Sequence, residues 1–386
     1  MNADELPEED WDPKADEVQR DQRAAYDAMR ERCPVAYSDF LGWTLFRHAD
    51  VMRALHDPDT FSSVVSRHLS VPSGMDPPEH TDFRAALNPY FEPEQMAAFE
   101  PHCRQLAREL AAALPADDEV ELTGQFTSWF AVRVQCRFLG WPARFHEKLY
   151  QWVQKNHQAT LAGDRPAMAR IAHEFQEYVE ELLQDRRGVD AGADLTARLL
   201  HEQVAGRALR TEEIVSILRN WTVGEVGTIS ASIGILAHYL AQHPELQQRL
   251  RAEPELLPAA NDEILRLHGP LVTNRRVTTG AARFGERRIG SGQRVTLNWV
   301  AANRDPAVFG RPDEFRLERD PAANLLYGAG IHVCPGAPLA RLELRVVMEE
   351  LLARTTAIEL VPGRPPTLAS YPASGYALLP LQVRCA

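Results

Sequence analysis

Apolar residues keep a helical period over one unusually long stretch of the chain. Ile214, Ile217, Leu218, Trp221, Ile229, Ile233, Leu236 and Leu240 follow it, between Thr211-Glu212-Glu213 and His243, where Pro244 ends the run. A helix of roughly thirty residues spans about 45 Å, enough to cross a whole domain. Upstream, the pattern predicts a helix near 21–32 that ends before Pro34. A hairpin follows, with Val35–Tyr37 and Trp43–Phe46 joined around Asp39–Gly42, then a helix over His48–His56 stopped by Pro58. Residues 61–78 hold no sustained period and contain two separate Pro signals, which predicts a long connecting loop of the kind that carries function. From about 94 to 187, helices succeed one another between Pro, Gly and Asp breaks. Pieces near 143–161 and 167–187 are joined by a turn at Ala162–Pro166. Strands are expected around Leu271–Thr278, Arg294–Leu297, 356–361 and 377–384, with the turn Ser370–Tyr376 as a candidate pocket edge. Residues 1–20 are rich in Asp, Glu and Pro and read as an extended or disordered lead-in.

Composition narrows the partners. A length of 386 residues suggests about two domains, and 45% apolar residues suffice for a large core. The 54 acids against 42 bases argue against a nucleic-acid partner, which requires a basic surface. The five cysteines (33, 103, 136, 334 and 385) are scattered and lack CxxC spacing, so neither a disulfide framework nor a zinc site is indicated. Cys103 and Cys136 fall among apolar helical residues and read as core. The opening MNADELPEED is unlike a signal peptide or a basic-flanked anchor, and no run of about eighteen apolar residues occurs. The expectation is a soluble, cytoplasmic protein without a membrane partner.

One phrase carries chemistry. Leu326 to Glu343 reads LYGAGIHVCPGAPLARLE: a Gly-rich loop, one Cys, a Pro and a Gly, then an amphipathic helix through Leu339, Leu342, Val346 and Met348–Leu351. Gly328 and Gly330 allow a tight loop under a flat partner, and Pro335 suits a first helical turn. A Cys at a helix start meets unpaired N–H groups and the positive end of the dipole, which favour thiolate. Gly336 would let a planar macrocycle lie against the backbone. These features suit thiolate ligation of a haem iron. The plainer alternative is a buried structural Cys beside a Gly turn.

The spacing Tyr327-x-x-Gly330-x-His332-x-Cys334-x-Gly336, followed by Leu339-Ala340-Arg341, resembles the haem-binding signature of the cytochrome P-450 superfamily, of the soluble bacterial kind. Tyr327 departs from the usual Phe and adds a hydroxyl that needs a partner. The resemblance implies a single, mostly α domain with small β-sheets over 21–386. In it, haem b lies between the long central helix and the Cys loop, with Cys334 as axial ligand. Asp76-Pro-Pro-Glu-His-Thr-Asp-Phe-Arg84 is similar to the family's PPEHxxxR phrase, which implies that His80 and Arg84 hold haem propionates. His332 and, by ungapped count, Arg275 join them, with Arg276 as the fallback. Direct ligation of iron by His332 is disfavoured because the loop presents Cys. In the family, residues equivalent to 61–78 cover the substrate pocket, so Val64, Val65, His68 and Leu69 are candidate lining.

The middle of the long helix reads Trp221-Thr-Val-Gly224-Glu225-Val-Gly227-Thr228. Counting back from His243-Pro244 puts Thr228 on the family's Thr and Gly227 where an acid usually stands. Glu225 and Thr228, three apart, remain neighbours on one helix face. The resemblance then implies that Thr228 hydrogen-bonds dioxygen or a water beside it, and that Glu225 delivers protons in place of the missing acid. Alternatives are a Thr bonded back to the helix carbonyl four residues earlier, a Glu turned towards substrate or an Arg, and a gapped register with Glu225 as the usual acid. The phrase NWTVGE also looks like those of reductase-fused bacterial relatives. Glu263, Arg266 and Arg304 resemble the family's buried Glu/Arg/Arg cluster, which braces the Cys loop.

The function implied is a monooxygenase, placing one atom of O2 in a small apolar or aromatic organic substrate by hydroxylation or oxidative dealkylation. A monomer is expected, supplied with electrons by a ferredoxin or a flavin-containing reductase that docks on the Cys side of the haem. A peroxygenase using hydrogen peroxide is the second reading, and a non-catalytic haem-thiolate gas or ligand binder the third.

Overall fold

A computed structural model describes residues 6–115 and 118–385. The chain runs through α1 (Asp16–Arg20), α2 (Gln22–Arg32), α3 (His48–Leu55), α4 (Glu79–Leu87), α5 (Pro93–Ala112) and α6 (Ser128–Leu139). It continues with α7 (His146–Ala162), α8 (Arg165–Gln184), α9 (Leu195–His201), α10 (Thr211–Gln242), α11 (Pro244–Ala252) and α12 (Leu257–His268). The short α13 (Trp299–Ala302) and α14 (Pro306–Phe309) precede α15 (Ala337–Arg354). With 56% of the residues helical, the mostly α expectation holds.

α10 is the organising element. Of its predicted apolar positions, Ile214, Ile217, Leu218, Ile229, Ile233, Leu236 and Leu240 are buried and Trp221 is half-buried. Its start is fixed by buried Glu213, which accepts from the Arg210 N–H at 2.8 Å and pairs with Arg207 and Arg210. Those donors, Arg207 first, pull its carboxyl down to about 2. Among the described residues, α10 is the one helix long and apolar enough to cross a membrane. It is instead mostly buried, surrounded by α6, α12, α15 and α8, as a core helix should be.

Small sheets flank the helices. The largest orders strands 35–38, 42–45, 294–298, 273–278 and 61–62, with Arg276 opposite Val295 and Arg275 opposite Thr296. A second orders 355–360, 380–385 and 118–121. Cys103 and Cys136 are fully buried, and burial pushes both thiols up to about 12.

The acidic lead-in departs from expectation. Residues 1–5 lie outside the described residues, but from Glu9 onward the segment is packed. Trp11 sits edge-on to Phe46 at 5.3 Å, and Asp10 exchanges hydrogen bonds with the backbone of Tyr37 while pairing with Arg287 at 2.6 Å. One large apolar anchor and carboxylates used as acceptors outweigh the disorder-prone composition.

Candidate functional site

The Cys loop is held by backbone geometry. Gly330 has φ +69°, and a Cβ there would meet the Leu55 carbonyl oxygen at 2.3 Å, so the loop reaches α3 only with glycine. The Cys334 N–H donates to the Tyr327 carbonyl at 2.9 Å. The helix begins later than expected: Gly336 caps it and Pro338, not Pro335, occupies its first turn. Burial pushes the Cys334 thiol up, and the backbone N–H groups of Gly336 and Ala337 beside it act in the other direction, towards thiolate.

Cys334 opens into a cavity of about 490 Å³, bordered by α10 through Gly224, Glu225, Thr228 and Ile229, and by Tyr327, His332 and Gly336 of the loop. Thr228 and Glu225 do share one helix face towards it. The Thr228 hydroxyl donates to the Gly224 carbonyl at 2.6 Å, the back-bonded arrangement, so its lone pairs face outward as an acceptor. The Glu225 carboxyl is turned to neither Arg nor open solvent. It meets Glu343 of α15, a residue that sequence reasoning missed although it falls on the buried stripe with Leu339 and Val346.

At the other end, His80 and His332 approach to 4.2 Å between ring centroids, each with its Nε2 buried and unpartnered. Arg84, whose Nη1 donates to the Val333 carbonyl at 2.8 Å, and Arg276 line the same cavity. Burial, His80 and Arg276 press His332 down to about 3, and burial with Arg84 lowers His80. The nearby acid, Asp76, is taken up by Ser62 and Ser63.

Arg275 is a correction. It faces solvent, and Arg276 is buried and borders the cavity, because neighbours on a strand point to opposite faces. Val64, Val65, His68 and Leu69 are also exposed and do not line the cavity. Pro72 and Ser73 do, since the Leu69–Val71 backbone is tied to Ser216, Arg219 and Asn220 of α10. The brace is corrected too. Glu263 receives Arg266 at 2.7 Å and Arg319 at 2.9 Å, whereas Arg304 pairs with Asp27 at 2.7 Å and with Asp313. Arg319 lies in the segment leading to the Cys loop, within reach of Glu263, and Arg304 leaves α13 in another direction.

These residues fit a haem. Four donors converge on one end with no free acid of the chain opposite them, a match for two propionates. The Cys334 thiol, beside two backbone N–H groups, would hold the haem iron, and α10 borders the same cavity. Fold and site together define a haem-thiolate monooxygenase. Residues 142–370 match the family model described as cytochrome P450, and the chain belongs to the cytochrome P450 family. It is 31% identical over 349 residues to the cyclomarin C epoxidase CymV of Salinispora arenicola, covering 86% of this chain and 88% of that one. It is 32% identical over 342 residues to the erythromycin C-12 hydroxylase of Saccharopolyspora erythraea, covering 84% and 85%. The solved cytochrome P450 CYP109Q5 from Chondromyces apiculatus superposes with a TM-score of 0.87 at 29% identity, over 97% of this chain and 98% of that one.

Proposed function

We propose that this monooxygenase acts on a small apolar or aromatic organic molecule, by hydroxylation or oxidative dealkylation. Its electrons come from a separate ferredoxin or flavin-containing reductase. A thiolate-ligated haem, when bound, supplies the centre at which dioxygen is split. Cys334 is its ligand, and His80, Arg84, Arg276 and His332 fix its acidic edge. Val223 and Leu271, both left open to the cavity, give substrate an apolar wall, and Trp221 adds an aromatic one. Thr228 holds a water by its lone pairs, and Glu225 hands on protons.

What supports this reading is that the Cys334 thiol and an α10 wall carrying Thr228 and Glu225 border one cavity. The test starts with the reduced protein under carbon monoxide, which should show the far red-shifted band of thiolate-ligated haem and lose it in Cys334→Ala. Compounds that shift the ferric Soret band are then offered with reductase and ferredoxin. Substrate-dependent consumption of reductant with oxygenated product is expected; binding without consumption would leave only the ligand binder.

The back-bonded Thr228 hydroxyl favours one rival, direct use of hydrogen peroxide, because an oxidant already reduced asks less of a proton path. Sustained turnover with peroxide alone, at the rate of the electron-transfer system, would establish it.

A further inference from the structure

Phe91, Phe138, Trp221, Trp299 and Tyr327 bring aromatic rings to the cavity. The phenylalanines give up electrons reluctantly. The Tyr327 hydroxyl and the Trp299 indole N–H are buried without partners, so neither can pass on a proton as it loses an electron. Trp221 differs, because it leads out of the cavity. Its ring meets that of Tyr90 at 5.4 Å, inclined by 56°. Tyr90 is fully buried in the turn Asn88–Phe91 between α4 and α5. Its hydroxyl donates at 2.9 Å to Oε2 of Glu202, the residue that closes α9. The Glu202 side chain is 21% exposed, so the far end of this row reaches solvent. Arg198 stands 3.9 Å from the same carboxylate and lies over the Tyr90 ring at 4.1 Å. A carbonyl would satisfy a buried Tyr hydroxyl, but a carboxylate supplies a base as well. With a guanidinium over the ring, positive charge on Tyr90 is disfavoured, so it can be oxidised only as it gives its proton away. Burial first, then Glu202, holds the phenol far above its usual range, and it stays protonated until that event.

We propose that Trp221, Tyr90 and Glu202 form an outlet through which an oxidising equivalent leaves the cavity for the surface. It gives the protein a second activity, the one-electron oxidation of small reducing solutes such as ascorbate. A monooxygenase with no substrate in place is left with an oxidant able to attack C–H bonds, and its own cavity rings are then the reductants within reach. Trp221 gives up one electron. Tyr90 returns one to it, and in the same step the phenol proton passes to Glu202, leaving a neutral radical beneath Arg198. A reducing solute at the Glu202 surface then supplies one electron, Glu202 hands the proton back, and all three side chains are restored. Two such passages consume the two oxidising equivalents that one peroxide brings, and the solute's own protons complete its reduction to water. The outlet needs only the haem-thiolate chemistry, not a particular substrate or the roles of Thr228 and Glu225.

The test mixes the substrate-free ferric holoprotein with hydrogen peroxide, freezes it rapidly and reads protein radicals by electron paramagnetic resonance. Wild type, Tyr90→Phe and Glu202→Gln are compared, after the carbon monoxide band of each has shown that haem is loaded. Expected is a tyrosyl signal in the wild type that Tyr90→Phe loses, with a tryptophan signal in its place. Glu202→Gln keeps a hydrogen-bond acceptor but no base, and should slow the tyrosyl signal on the order of a hundredfold, the low end of what a positioned base contributes. Both variants should also oxidise ascorbate more slowly under peroxide. A haem-loaded wild type without a protein radical overturns the outlet. So does a tyrosyl signal unchanged in Tyr90→Phe, or one that forms at the wild-type rate in Glu202→Gln. Radicals that respond as expected while ascorbate oxidation does not overturn the second activity. If Tyr90→Phe loads no haem, the rate in Glu202→Gln decides.

Discussion

Buried carboxylates occur in two settings in this protein, and they differ in what surrounds them. Glu263 is enclosed by Arg266 and Arg319 and accepts the Arg316 N–H, so its charge is answered from within the chain. Both carboxyl oxygens of Glu343 and Oε1 of Glu225 are buried with no hydrogen-bond partner. The same contrast extends along the cavity, where the Nε2 atoms of His80 and His332 and the Tyr327 hydroxyl are buried without partners. Complete pairing marks the brace that holds the Cys loop in place. Incomplete pairing marks the groups left for a cofactor, a substrate or a proton.

The contrast breaks most visibly at the brace. Glu263→Ala leaves two buried guanidinium groups uncompensated, which should cost about 3–5 kcal/mol. Little haem-loaded protein is expected, read as carbon monoxide-binding haem per milligram. Arg319→Ala should follow it, whereas Arg304→Ala should release α2 at Asp27 without emptying the site.

A smaller effect separates two adjacent arginines. Arg276→Ala removes a charged donor from the cavity and should weaken haem retention by about 1.5–3 kcal/mol, seen as faster haem loss to an acceptor protein. Arg275→Ala, on the solvent face, should change stability by no more than about 0.5 kcal/mol. This pair also shows what the sequence could and could not reveal. The Cys334 phrase and the period of α10 were legible because each is a continuous local pattern. The choice between Arg275 and Arg276 passes through the Gly269–Asn274 connection, where a one-residue slip exchanges the two faces of a strand. Arg319 is missing from the sequence pattern for a related reason, since both it and Arg304 follow Glu263 at long range and only the fold decides which one returns to it. Glu343 closes the Cys334 phrase and falls on the helical period behind it, but its buried surroundings come from the packing of α15 on α10. The loop 61–78 was recognised as a loop, yet which of its residues face inward depends on where α10 fastens it.

The unpaired carboxyls should respond to pH with a sign of their own. A carboxyl whose folded pKa is raised contributes stability below its unfolded value, near 4.3, and loses it as pH climbs towards the folded one. The wild type should therefore lose stability as pH rises through the weakly acidic and neutral range. Glu343→Gln should flatten that slope, with a gain of about 1–2 kcal/mol at the alkaline end, measured by urea unfolding across pH.

The smallest effect concerns Tyr327, and it separates an unpaired group that serves chemistry from one that does not. Its hydroxyl is buried without a partner, and burial drives its pKa far above the usual range, so it stays neutral. The ring has a function independent of that oxygen: Arg341 lies over it at 4.4 Å, a contact that Phe would keep. Removing a buried, unsatisfied hydroxyl relieves its desolvation, so Tyr327→Phe should stabilise the holoprotein by about 1 kcal/mol. Its carbon monoxide band and product yield should not change. A loss of stability, or a displaced band, would mean that the hydroxyl finds a partner once haem is bound, and Tyr327 would then join the histidines and Arg276 among the groups waiting for the cofactor.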